Sequence, residues 1–448
     1  MNAVISLLGI VAGLVLLVVL AYKGHSIIWV APFCAILVAL LGGLNLLTAY
    51  LSDYIGGVAG YIISWFPAFF LGAIYGKIMD LTGSARSLAN KLVSLIGLRY
   101  ALLAVILPCI LMTYGGISCF VVVFVLYPMG LAIYREANLP RTLLPGAIAF
   151  GSFGMTMICL PGSPQIQNII PTSYYGTTAT AAPLMGLLAA VLIGVPGYLY
   201  LQWRVSSARK QGLGFVEDEK HQEKEKICEQ PSWHWLCGLV PLVVVVLMLN
   251  VLPLVLKNLG AADLNSNQAI IIALLGGIAT TCLMNLHQLK VVLPAFNAGA
   301  NGSLTAIMNT ACAVGFGAVL KLVPGFAVLK NAMINMPGSI LFSEAVAVNV
   351  LSGAVGSGSG GMSIALETLG PLYLSKAAEI GMNPEWLHRI ASIASGGLGT
   401  LPHNGAVITL LAVCNCKHKE SYADIGVTCC LIPMVVSLIL ALAFGLFV

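Results

Sequence analysis

Charge is what this chain has least of. Only 8% of its 448 residues are Asp, Glu, Lys or Arg, while 59% are hydrophobic; soluble domains carry roughly 25% charged residues. A surface facing water cannot be built from so few charges, which excludes a soluble enzyme or binding module. The net charge of +5 is too diluted for a nucleic-acid partner, because twelve of the charged residues crowd between Arg204 and Glu229. Metal-ligand spacing is also missing. Cysteines such as Cys34, Cys109, Cys282 and Cys312 lie in apolar runs, where they behave as small hydrophobes. Cys414 and Cys416 flank Asn415 without a companion His or Cys pair, so no metal or other cofactor is expected. No Ser/His or paired-Asp arrangement at helical spacing supports intramembrane hydrolysis, and no enzyme is expected. The first apolar run lacks a basic n-region and a cleavage site, so it reads as a retained span.

What is present is a series of apolar stretches of about 20 residues, each long enough to cross a hydrocarbon core about 30 Å thick. Several are interrupted by Gly and Pro, which membrane depth tolerates only inside protein. The segment from Arg99 to Arg135 has Thr113-Tyr114-Gly115-Gly116-Ile117-Ser118 at its centre and reads as a re-entrant hairpin. A stretch from Arg141 breaks at Leu160-Pro161-Gly162-Ser163-Pro164, where two prolines remove donors and stop a helix. The second half repeats the plan, with a tip at Gly356-Ser357-Gly358-Ser359-Gly360-Gly361-Met362-Ser363 and a break at Leu401-Pro402-His403-Asn404-Gly405. Gly115-Gly116-Ile117-Ser118 and Gly360-Gly361-Met362-Ser363 are offset by 245 residues, as are Gly72-Ala73-Ile74 and Gly317-Ala318-Val319; Leu160-Pro161 and Leu401-Pro402 are offset by 241. Landmarks held so closely in register indicate an internal duplication.

The expected fold is an all-α polytopic membrane protein of two inverted repeats, each with a re-entrant hairpin and a discontinuous helix. The first repeat, 1–203, holds spans 3–22, 26–50 and 55–76, a hairpin 99–135, a broken helix 141–175 and a span 181–203. A cytoplasmic linker, 204–232, follows. The second repeat, 233–448, holds spans 233–256, 268–288 and 299–320, a hairpin 343–376, a broken helix 386–416 and a span 421–447. Basic residues concentrate on the cytoplasmic side, and Lys23, Arg99, Arg135, Arg141, Arg204, Arg209, Lys210, Lys417 and Lys419 all fall there in one threading. That threading gives each half five crossings and a hairpin, inverts the second half, and leaves both termini in the periplasm of an inner-membrane protein.

Paired broken helices near the midplane are where secondary transporters hold substrate, because half-helix N-termini aim N–H groups and partial positive charge at anions. Candidate substrate-binding residues are Tyr114, Gly115, Gly116 and Ser118 at the first tip, and Gly162, Ser163 and Gln165 at the first break. The second tip adds Ser357, Ser359 and Ser363, and the second break His403, Asn404 and Gly405. An acid at depth is a functional candidate by default, and histidine titrates near physiological pH, so Glu367 and His403 are the candidates for proton coupling. Glu344, His388 and Arg389 read as interfacial.

Those residues resemble the gluconate:proton symporter (GntP) family of the ion-transporter superfamily. The resemblance is carried by Gly72-Ala73-Ile74-Tyr75-Gly76-Lys77-Ile78-Met79-Asp80 and Thr82-Gly83-Ser84-Ala85-Arg86. It is carried further by the second tip through Glu367, by 388–397, by Leu401-Pro402-His403-Asn404-Gly405 onward to Val413, and by His418-Lys419-Glu420-Ser421-Tyr422, where it is nearest the D-β-hydroxybutyrate permease branch. It implies proton-coupled uptake of an organic anion, with sodium coupling also found in the superfamily, and an elevator-type transporter on a dimeric scaffold. Gluconate-type members have an acidic residue near the first tip, where this chain has Gly115 and Gly116. The difference implies a small monocarboxylate substrate, 3-hydroxybutyrate foremost, with gluconate or another sugar acid as the alternative. The expected partners are that carboxylate, the lipid bilayer and a second copy of the chain.

Overall fold

A computed structural model describes residues 3–23, 25–97, 100–117, 119–216, 234–260, 264–334, 338–402 and 404–446, and among them every regular element is a helix. With so little water-facing surface, backbone groups are satisfied within helices, and each interruption has an identifiable local cause. Helices α1 (Ala3–Tyr22) and α2 (Ile27–Gly42) pack against each other. The Ile28 N–H donates to the Ser26 hydroxyl to start α2, and Gly43, at a left-handed φ of 75°, ends it. The chain restarts at Asn45, whose side chain accepts from the Thr48 N–H, and α3 runs from Leu46 to Leu81 through a π-turn at Ala49–Tyr54. Spans at 26–50 and 55–76 are therefore not what forms: a glycine stop and an asparagine cap move the boundary to 43–45. At about 1.5 Å per residue the 36 residues of α3 reach roughly 54 Å, so its ends project well past a hydrocarbon core.

Gly83, again left-handed, separates α3 from α4 (Ser84–Ile96). The first hairpin is α5 (Ala101–Tyr114) and α6 (Cys119–Glu136), turning at Gly116 with φ 93°. Next come α7 (Leu144–Ala149), continued by a π-turn at Phe150–Thr156, then the break, α8 (Ile166–Tyr175) and the long α9 (Pro183–Lys210).

In the second half, α10 (Leu236–Asn250) and α11 (Leu252–Asn258) are bent by 41° where a single span, 233–256, was expected. Pro253, in the first turn of α11, lacks the N–H that would carry α10 through the bend. An Asn265/Gln268 capping box starts α12 (Ser266–Met284), and α13 (Leu289–Leu320) begins upstream of the expected 299. After α14 (Pro324–Ile334) comes the second hairpin, α15 (Ile340–Val355) and α16 (Gly358–Glu379). Its turn is only Gly356 and Ser357, and the rest of the Gly/Ser run is helical. Ser357 caps α16 by accepting from the Gly360 N–H, and a Cβ on Gly361 would collide with the backbone of Ser352, so the glycines let the two arms touch. The chain closes with α17 (Pro384–Gly396), the second break, α18 (Gly405–Val413) and α19 (His418–Gly445).

Five of these helices, α3, α9, α12, α13 and α19, are long and apolar enough to cross a membrane, and the bent pair α10/α11 makes a sixth. α3 lies along α13, flanked by α2 on α13 and by α12 on α3. α1 packs on α14 and α10 on α4. α8 lies against α16 and α17, and α18 lies against α6.

Candidate functional site

Unwinding a helix at Pro161 and Pro164 frees carbonyls that must find donors elsewhere. Five freed carbonyls in the first break find a side chain. Ser392 donates to Ile158 O (2.9 Å), Arg389 Nη1 to Cys159 O (3.3 Å) and the Tyr114 hydroxyl to Pro161 O (3.1 Å). Asn250 Nδ2 donates to Gly162 O (2.9 Å) and Asn168 Nδ2 to Ser163 O (2.8 Å). The same Asn250 Nδ2 also donates to Val246 O of its own helix (2.9 Å). Gln165 Nε2 ties the break to the first tip, donating to Thr113 O (2.6 Å) and Ile117 O (3.3 Å). Gly162, at φ 79°, has Asn250 and the Tyr114 hydroxyl where a Cβ would sit.

Arg389 is the centre of this arrangement. Its side chain is fully buried, and Nε and Nη2 donate to Ala181 O (3.1 and 2.6 Å) while Nη1 also donates to Asn168 Oδ1 (2.9 Å). Asn168 Nδ2 in turn donates to Ala179 O (2.8 Å), and His388, equally buried, pairs with the Thr177 hydroxyl through Nδ1 (2.7 Å). Among the described residues no carboxylate forms an ion pair with Arg389. Reading His388 and Arg389 as interfacial is thus corrected. The small residues that follow, Ala391, Ser392, Ala394 and Ser395, let α17 lie against the first break and bury both. That small-residue face was the signal available, and it lies within the stretch that carried the family resemblance.

The second break is satisfied in the same manner. Asn404 Nδ2 donates to Gly399 O (2.7 Å), the Tyr422 hydroxyl to Thr400 O (3.2 Å), and His418 Nε2 lies 2.9 Å from Pro402 O. Asn404 also caps α18, accepting from the N–H groups of Ala406 and Val407. The second tip presses on this break: a Cβ on Gly358 would meet Ser395 O at 2.6 Å, and one on Gly399 would meet Gly358 Cα at 2.8 Å. Since Ser392 and Arg389 of α17 also hold the first break, both breaks and both tips form one connected cluster.

Of the candidates named from sequence, Tyr114, Gln165 and Asn404 are committed to backbone carbonyls. Ser163 is buried and accepts from the Gln165 N–H (3.3 Å), and Gly115 is filled in by Leu242. Ser357 and Ser359 lie 3.4 Å apart, while Gly405 is exposed. Ser118 and His403 lie outside the described residues. Ser363 differs from all of these. Its hydroxyl is fully buried with the hydroxyl of Tyr61 on α3 as its polar neighbour, and among the described residues neither oxygen has a partner at full hydrogen-bond geometry. The Thr113 hydroxyl, buried beside the first tip, is likewise without one. Glu367 is about one-third exposed and ion-paired with Lys321 (2.6 Å), and accepts from Tyr174 at 3.4 Å. Glu344, read as interfacial, is instead fully buried, accepting a hydrogen bond from the Tyr175 hydroxyl.

Comparison with known proteins points to a transporter. Residues 3–284 match the CitMHS family, described as citrate transporters and related to the gluconate permeases that the sequence resembles. An uncharacterized transporter of Bacillus subtilis strain 168, YxjC, is 40% identical over 93% of this chain and 94% of its own length. The high-affinity gluconate transporter of Escherichia coli K12 is 25% identical over 55% of this chain and 54% of its own. Among solved structures, the YdaH transporter of Alcanivorax borkumensis, described as having an unusual topology, aligns with a TM-score of 0.56 at 12% identity over 90% of this chain and 88% of its own, a likeness of fold alone. None of these matches carries the D-β-hydroxybutyrate branch. With its membrane-length helices and its coverage by transporter relatives, this is a multi-pass membrane transporter rather than an enzyme, and the chain belongs to the CitMHS family of citrate transporters.

Proposed function

We propose that the protein imports a small organic carboxylate by proton symport, through alternating access of two inverted repeats in the bacterial inner membrane. The observation that carries this reading is the exchange of contacts between the halves. α1 packs on α14 as α10 packs on α4, α2 on α13 as α12 on α3, and α8 on α16 as α18 on α6. Elements of one half meet the counterparts of their own neighbours in the other, which is the relation a pseudo-two-fold axis creates. With five crossings per half the axis lies in the membrane plane, and rocking one group of elements against the other opens the cluster of tips and breaks to either side in turn. The plain helices would be the scaffold and dimer interface; the hairpins and broken helices would move, as in an elevator.

The substrate would sit among the tips, where the buried hydroxyls of Ser363 and Thr113 are unclaimed and the first turn of α16 presents N–H groups. The charge of Arg389, which makes no direct ion pair among the described residues and has Glu385 one turn away, favours an anion nearby. Citrate is named for the family and gluconate for one relative, and both are hydroxylated carboxylates; glycines at the first tip favour a compact one, and 3-hydroxybutyrate stays among the substrates to be tried. An anion carried alone into a negative cell is opposed by about 2.3 kcal/mol per charge per 100 mV, and a proton taken with it removes that penalty.

Counterflow of labelled citrate, gluconate and 3-hydroxybutyrate in proteoliposomes tests the reading. Saturable exchange of one of them is expected, with accumulation driven by an inside-alkaline pH gradient without sodium. Absence of exchange for every carboxylate tried, or accumulation driven by sodium alone, would overturn it. Ser363→Ala should raise KM for the transported acid, because the mutation removes a donor unclaimed by the protein itself.

A further inference from the structure

Glu344 stands on α15, the first arm of the second hairpin, and its side chain is fully buried. Oε1 accepts from the Tyr175 hydroxyl of α8, and Oε2 has no hydrogen-bond partner among the described residues. Two further groups line the place, the Tyr373 hydroxyl of α16 and Ser343, which lie 3.1 Å from each other. Among the described residues, the elements packed around α15 bring no cation into an ion pair with Glu344. α1 has no charged side chain, and the side chain of Lys330 on α14 lies outside the described residues. On α16, Glu367 is held by Lys321 and Lys376 pairs with Glu379. On α17, Arg389 is spent on the carbonyls of Cys159 and Ala181 and His388 on Thr177, while Glu385 accepts from the Ala182 N–H (2.8 Å). On α19, Asp424 is held by Arg204. The groups that do face the Glu344–Tyr175 pair are tyrosines: Tyr175 itself with Tyr174 from α8, and Tyr373 from α16.

We propose that Glu344, sealed by Tyr175 at the seam between α8 and α15, is the carboxyl that carries the coupled proton. The proposal rests on the reading of the protein as a proton symporter and moves the coupling role from Glu367, which already has a cationic partner. A buried carboxylate with one donor and no cation is costly, and it relieves that cost by taking a proton or by reaching water. α8 follows the first break and α15 leads to the second tip, and the pair joins the two halves at the ends of these helices away from the break and the tip. With Oε2 protonated the seam closes as a neutral Tyr–Glu pair. Without the proton it must open to water, and this ties reorientation to protonation. On the entry side a hydronium ion gives its proton to Oε2, one O–H bond breaking and one forming, and leaves as water; on the other side water takes the proton back as hydronium.

Two measurements on the full chain test this. In proteoliposomes, Glu344→Gln should keep counterflow of labelled citrate or gluconate and lose accumulation under a pH gradient; accumulation at the wild-type level overturns the proposal. Infrared spectroscopy across a pH series needs no substrate. The wild type should show a protonated-carboxyl C=O band that Glu344→Gln lacks and Glu367→Gln keeps, whereas coincident wild-type and Glu344→Gln spectra overturn it. If Glu344→Gln does not fold, Tyr175→Phe serves: losing the donor to the carboxylate should move the titration of that band to higher pH, and an unmoved titration counts against the proposal. Failure of the wild type to exchange any carboxylate would sink the transport reading, and the infrared measurement would still decide the state of Glu344.

Discussion

A single guanidinium ties Cys159 of the first break to Asn168 and to the turn at Ala179–Ala181, and its environment explains why no other side chain would do. Five N–H groups in a fixed fork are all taken by four neutral acceptors: Ala179 O, Ala181 O, Cys159 O and Asn168 Oδ1. Lysine has three donors on a flexible stem and cannot cover that set. Each buried acceptor left unpaired costs about 1–3 kcal/mol. Arg389→Ala should therefore lower the midpoint of thermal unfolding in detergent markedly, and Arg389→Lys by less; an Arg389→Ala protein that melts with the wild type would show that the carbonyls find other donors. Asn250→Ala removes one neutral bond at the edge of the same break, and about 1 kcal/mol is expected from the same measurement.

At the scale of the element, glycine acts in two distinct ways, and a pair of substitutions separates them. A Cβ on Gly361 would run into the Ser352 backbone, which cannot rotate aside, whereas one on Gly405 meets nothing. Gly361→Ala should splay the arms of the second hairpin and cost roughly 1–3 kcal/mol, as overpacking does. Gly405→Ala, at the first position of α18, should be neutral or stabilise by up to about 1 kcal/mol through helix propensity. Equal unfolding midpoints for the two variants would mean that the arms are not in close contact. The turn at Gly116 and the break at Pro161–Pro164 were legible in the sequence because Gly-Gly and Pro-x-x-Pro act on the chain locally, whereas Gly360-Gly361 lies inside α16 and the second hairpin turns earlier, at Gly356 and Ser357. The stop at Gly43 and the bend after Asn250 were not, since each lies in an apolar stretch whose composition continues unbroken.

For the whole molecule, the halves are joined by side chains as well as by packing. Arg204 of α9 donates to Asp424 of α19 at 2.6 Å, with the carboxylate fully buried and the guanidinium about one-third exposed. Removing the arginine strands a buried charge, while removing the acid leaves a cation that water still reaches. Arg204→Gln should accordingly destabilise by about 3 kcal/mol and Asp424→Asn by about 1, and the reverse order would argue against a buried Asp424. Topology is tested independently. On a cysteine-depleted background, a cysteine at position 220 should react with impermeant reagent only from the cytoplasmic side, and periplasmic labelling there would exclude the inverted threading.

By itself the sequence determined the solvent and the punctuation. So few charges leave only a membrane as surroundings, and clustered glycines and prolines marked where helices stop at Gly116, at Pro161–Pro164, at Gly356 and before Asn404, although lone prolines such as Pro108, Pro196 and Pro371 stand inside helices. Tertiary structure decided which polar groups are free. Tyr114, Gln165 and Asn404 looked available for a ligand, but carbonyls released by the breaks claim them, and the chain order does not reveal which donor lies opposite which carbonyl. Glu344, His388 and Arg389 looked interfacial because each sits near a helix start. What buries them is α8 and α17 folding back across the breaks, and depth in a membrane protein is set by such neighbours rather than by distance along the chain.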